Sequence, residues 1–196
     1  MQLLAHGAPP DLVAGATRAQ GDELAHARAC FGIASAIAGE KLGPGQLDIE
    51  GVWEMGSDAR DLLVSTIVEG CINETLAASE AAWLSESCRV ASVSEALAQI
   101  AEDEGRHAAL AWRTIRWILS EHPELAQVAA STFATGLPTE GPEPVGPRDD
   151  VWLAGYGCMP AHESRRLARD VWREVITPCA TALLRAEACG DVAIQP

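Results

Sequence analysis

Positive charge is scarce in this sequence. Fourteen Lys and Arg stand against 28 Asp and Glu, a formal net charge of −14. Nucleic acid and anionic membrane are bound through basic patches, so neither is an expected partner. No stretch approaches the ~20 apolar residues of a membrane span. The opening Met1-Gln2-Leu3-Leu4-Ala5-His6-Gly7 has no basic n-region and is too short for a signal peptide. None of the six cysteines is spaced as Cys-x-x-Cys, which removes zinc-ribbon and thioredoxin readings. Cys30 and Cys71 lie on apolar helical stripes, where cysteine serves as a small hydrophobe. This usage points to a reducing, cytoplasmic setting. Alternating runs of the strand kind are also missing. What remains is 48% apolar residue content over 196 positions, enough for a proper core, and the expected class is all-α.

One stripe dominates. Leu97, Ile100, Ala101, Glu104, His107, Ala108, Ala111, Ile115 and Ile118 follow one another by one, three or four residues and share one helix face. The face is apolar except for Glu104 and His107 at its middle. An unpaired carboxylate there costs several kcal/mol, roughly, even after relaxation. A Glu-x-x-His pair aims both side chains at one spot, where a metal can offset that cost. The pattern recurs on a second stripe, Ala16, Ala19, Glu23, His26, Cys30, Ile33 and Ile37. The wording recurs too: Asp22-Glu23-Leu24-Ala25-His26-Ala27 against Asp103-Glu104-Gly105-Arg106-His107-Ala108. One such motif is weak, but two, each mid-stripe, are the arrangement of di-iron and di-manganese carboxylate bundles. The competing reading is a buried polar network without metal.

Around these helices the chain divides as follows. Residues 1–8 end a helix, with Gly7 as its cap. Pro10 or Asp11 opens the first Glu-x-x-His helix, which stops at Gly39. Residues 39–56, with five glycines and a proline, form a loop. Fully extended, they reach ~60 Å, against ~42 Å for a 28-residue helix. Ser57 caps a helix over 58–86 with Ile67, Cys71, Glu74, Ala77, Ala78 and Ala81 on its apolar stripe. Ser92-Val93-Ser94-Glu95 reads as a capping box for the next helix, which ends near Ser120. Glu74 and Glu104 are equidistant from the turn near Arg89, so antiparallel helices bring them level. Glu69, on a more polar side, is the second choice of ligand. A short helix over 123–135, an exposed linker over 136–150 and a last helix over 161–188 follow. That last helix carries Leu167, Val171, Val175 and Leu183 and bends at Pro178. The expected divisions are 1–122 for the core, 123–150 for the short helix and linker, and 151–196 for a C-terminal helix packing on the bundle.

Asp-Glu-x-x-His-Ala, used twice, resembles the ferritin-like superfamily, which includes the rubrerythrins and the di-iron hydroxylases. The resemblance covers roughly residues 10–120. It implies a helical bundle with one long crossover, and two irons, or manganese, held by Glu23, His26, Glu74, Glu104 and His107. It also implies an oxidoreductase that reacts with dioxygen or peroxide, on a small-molecule substrate that no motif identifies. Asp22 and Asp103 either orient a histidine across the bundle or pair with arginine in solvent. The family's first helix carries a glutamate, which counting places about 30 residues before Glu23, upstream of Met1. The expectation is therefore a bundle lacking its first helix and one ligand, through a truncated or misplaced start, with Glu174 as a candidate replacement. A homodimer covering the open flank is the expected assembly. The alternative function is a metal-free helical bundle acting as a scaffold or binding module. His6, His122 and His162 fall at helix ends, Trp112 and Trp117 read as packing residues, and the Arg106, Arg113, Arg116 row reads as a solvated face.

Overall fold

The computed structural model describes residues 2–46, 58–136 and 154–189. These are helical, with no strand among the described residues. Helix α1 (Gln2–Ala5) ends at Gly7, whose φ of 69° suits glycine. Helix α2 (Pro10–Ala38) opens on proline and closes at Gly39 in the left-handed conformation. Helix α3 (Ala59–Ser65) runs on through a π-helical stretch (Thr66–Asn73) into α4 (Glu74–Ser87). Helix α5 (Ala91–Glu121) follows, then α6 (Ala126–Thr135), and α7 (Ala161–Val171), which continues through a second π-helical turn into α8 (Thr177–Cys189). None of these helices is long and apolar enough to cross a membrane.

Three local expectations change. Ser57 lies outside the described residues, and Asp58 is the cap, its carboxylate accepting from the Asp61 amide at 2.8 Å. The Ser92–Glu95 capping box does not form, because the helix has already begun at Ala91. Ser94 instead donates its hydroxyl across the turn to the Ser85 carbonyl at 2.7 Å, pinning α4 to α5. In the last helix Val175 is exposed and Ile176 is buried. The π-turn at Trp172–Ile176 adds a residue to the repeat and shifts the buried stripe by one. It stands directly before Pro178, whose ring and missing N–H disturb the preceding helical turn.

The apolar core lies between α3–α4, α5, α6 and α7–α8. Leu63, Ile67, Cys71, Ile115, Ile118, Leu119 and Ile176 are its fully buried side chains. Trp112 stacks on Phe133, centroids 5.3 Å apart. Among the described residues α2 contributes nothing to this cluster. It buries only Leu12, Gly15 and His26. Its distal part is open: Leu24 is 60% and Ile37 79% exposed, and Cys30 is exposed rather than buried. Cys30 sits on a stripe that the described residues leave uncovered.

Two glycines set the spacing around α5. A Cβ on Gly15 would stand 2.6 Å from Leu110, and one on Gly70 would stand 2.4 Å from Ala111. These contacts put Gly15 and Gly70 at one level of α5, and Glu23 and Glu74 meet it again near Glu104. Helices α2 and α3–α4 therefore run parallel to each other and antiparallel to α5. A parallel pair requires the chain to return along the bundle between them. Residues 47–57 of the expected crossover, and residues 137–150 of the expected linker, lie outside the described residues.

Candidate metal centre

The antiparallel contact of α2 with α5 sets the two Asp-Glu-x-x-His-Ala motifs face to face. His26 Nε2 lies 3.0 Å from Asp103 Oδ2, and His107 Nε2 lies 3.1 Å from Asp22 Oδ2. An ionised carboxylate only accepts, so each histidine donates its Nε2–H. Burial alone would raise the Asp103 carboxyl, but hydrogen bonds from His26, Gln99 and Arg106 outweigh it and hold the group below its ordinary range. Arg106 binds Asp103 and reaches Asp22 at 3.5 Å, so one guanidinium spans both aspartates. Each aspartate meets a histidine across the bundle, and both meet Arg106, but Asp103 does so buried rather than in solvent. Arg106 is exposed, as a solvated face requires, and its contact across two helices is one that no sequence spacing reveals.

With Nε2 turned to an aspartate, each imidazole faces its Nδ1 inward, and that of His107 lies within hydrogen-bond distance of Glu104. His107 Nδ1 is 3.1 Å from Glu104 Oε2, 3.4 Å from Glu23 Oε1 and 3.9 Å from Glu74 Oε2. His26 Nδ1 is 3.5 Å from Glu104 Oε1 and 3.6 Å from Glu23 Oε1, and it is buried with no hydrogen-bond partner. Glu104 thus turns one oxygen toward each histidine. Ligand atoms of Glu23, Glu74, Glu104 and His107 all lie within 4.8 Å of one another. Lone pairs crowd lone pairs here, an arrangement that a cation or shared protons must relieve. These four residues fit a cation, being the right types and close together; His26 falls outside that group, its orphaned Nδ1 3.5 Å from Glu104.

The protons show which way the balance lies without metal. The Glu74 carboxyl is pushed up to about 9, by burial first, then by its hydrogen bond to Glu104 and the charges of Glu104, Glu23 and Glu69. Its ordinary value is 4.5, so the folded state holds a proton that the unfolded chain releases. Stability from this group is complete below its ordinary value and declines as pH rises toward about 9. Asp103 acts oppositely, and only in acid, where its depressed carboxyl is finally protonated. The metal-free protein is expected to melt at progressively lower temperature between pH about 5 and about 9. Metal ions, which displace that proton, should flatten or reverse the trend. Thermal melts at both ends, with and without metal, check the sign.

The remaining candidates fall outside. Glu69 is exposed and accepts from Asn73 at 3.0 Å. It lines a cleft of ≈ 360 Å³ whose other walls include Leu62, Gly70 and Ala111 and which reaches Glu74 and His107. Glu174 is 66% exposed and paired with Arg173 at 2.8 Å, far from the role of replacement ligand. Glu23 is 54% exposed, so the centre is open on the α2 side. The π-helical stretch leading into Glu74 was not anticipated; such stretches recur at functional sites. Its one sequence signal is Gly70, which permits the close approach to α5.

No family model, curated protein or solved structure matches this chain.

Proposed function

We propose that this chain is a ferritin-like di-metal carboxylate protein with iron as its resident metal, an oxidoreductase for dioxygen or peroxide. The observation that carries the reading is the pair of inward-facing Nδ1 atoms set against three glutamates, that of His26 buried with no hydrogen-bond partner. A set rich in carboxylate with two imidazoles suits iron or manganese, whereas zinc takes fewer oxygens. Glu23, Glu74, Glu104, His26 and His107 would hold the ions, Glu104 turning one oxygen toward each histidine. Asp22, Asp103 and Arg106 hold the imidazoles with Nδ1 turned to the glutamates. Bound iron would supply electrons to dioxygen or peroxide. The chain's own residues fix ligand geometry and, through the cleft beside Glu74 and His107, give a small molecule access.

Elemental analysis of the purified protein tests this. The expected result is iron or manganese approaching ~2 ions per chain, lost in Glu104→Ala. A protein that stays metal-free after incubation with ferrous iron would overturn the reading in favour of a metal-free scaffold or binding module.

A further inference from the structure

Beside the metal centre, and reaching it at Asp22, Arg106 and His107, α2 and α5 enclose a cationic cleft on a strongly acidic protein. A cleft of ≈ 360 Å³ is lined by Gly15, Arg18, Asp22, Arg106, Leu110 and Arg113, among others. A second of ≈ 440 Å³ adjoins it through Arg113 and carries Arg116 and Trp117. Four of the chain's 14 basic residues therefore face two joined clefts, on a molecule with 28 acidic ones.

Their pairing sets three of them apart. Arg106 is committed to Asp103 and Asp22. Arg166 and Arg173 elsewhere are likewise matched with Glu163, Asp170 and Glu174. Among the described residues, Arg18, Arg113 and Arg116 form no ion pair, although carboxylates outnumber cations two to one. Asp22 at the inner end is already taken by His107 and Arg106. Asp11 lines the outer cleft without reaching either arginine. Two guanidiniums without ion-pair partners, Arg18 and Arg113, thus line one cleft from two helices, together with Gly15, Ala19 and Leu110, and a third, Arg116, lines the adjoining cleft.

We propose that this cleft binds a small organic anion, a carboxylate or phosphate head group on an apolar body. Arg18 and Arg113 would grip the head group from opposite walls. A planar guanidinium matches both oxyanions with paired hydrogen bonds. The volume is that of a small-molecule site. The apolar body would lie along Leu110 and Trp117. The row Arg106, Arg113, Arg116 is exposed, as a solvated face is, and Arg18, 95 residues before Arg113, joins it from α2.

Calorimetric titration with inorganic phosphate and with benzoate, at constant ionic strength, tests the proposal and separates the two head groups. It is run on protein as purified and on protein passed over chelating resin, so that binding to metal is recognised. The expected result is saturable binding of at least one probe in both preparations, weakened at least tenfold in R113Q and in R18Q. Arg28→Gln, the same charge change on α2 outside the cleft, should bind as the parent does. If R113Q fails to fold, R18Q carries the comparison. No saturable binding of either probe, binding only in the metal-containing preparation, equal affinity in R113Q or R18Q, or equal loss in R28Q would each overturn the proposal.

Discussion

Ferrous iron or manganese added to the metal-free protein at a thousandfold excess over its dissociation constant is expected to raise the melting temperature by ~8–16 °C. A ligand that binds only the folded state at that excess contributes about 4 kcal/mol. A chain of this size gains roughly 2–4 °C per kcal/mol. The structure says where that energy acts. Asp22, Glu23, Glu74, Asp103 and Glu104 surround two histidines and a single guanidinium, so the centre without metal is crowded with negative charge. Helix α2 meets the rest of the molecule through this polar layer and through Leu12 and Gly15, and adds nothing to the apolar core. Amide hydrogen exchange should therefore be fastest in α2 without metal and should slow there most on binding, while α5 changes less. Metal that binds without moving either the melting temperature or α2 protection would show that the centre does not clamp that helix.

Ile115→Ala is expected to cost about 2–5 kcal/mol, whether or not metal is bound. Ile115 is fully buried where α5 meets the core shared with α3–α4 and the C-terminal helices. Truncation there leaves a cavity that packed neighbours cannot close. Ile37→Ala, on the exposed end of α2, should change stability by no more than ~0.5 kcal/mol. Denaturant unfolding of both variants gives the comparison. Folded Ile115→Ala protein should retain the parent's metal content, because Ile115 lies on the same face of α5 but about three turns beyond Glu104. Equal losses in the two variants would mean that α2 is covered in solution and belongs to the core.

Much of this was legible in the residues because helices report their buried faces through period. The α5 stripe, the Gly39 stop, the short helix before residue 136 and the placement of Glu74 level with Glu104 all follow from 3.6-residue spacing and rise per residue. Where a π-turn adds a residue that arithmetic slips, as at Val175 and Ile176. Ile37 is exposed, as an open flank requires, but Cys30 on the same stripe is exposed too, because a stripe says which face is apolar and not whether anything covers it.

The sequence by itself determined the helical class, the two Glu-x-x-His pairs and the identity of the donors, since these depend on residue type and on neighbours a turn away. Only the tertiary structure decided which nitrogen of each histidine faces the glutamates, that Arg106 braces both aspartates, and that Arg18 joins Arg113 across a cleft. Those facts depend on distances between side chains some eighty to ninety-five residues apart. Such distances are set by how closely α2 can approach α5 at Gly15 and by the antiparallel register that follows, and no local pattern of residues encodes them.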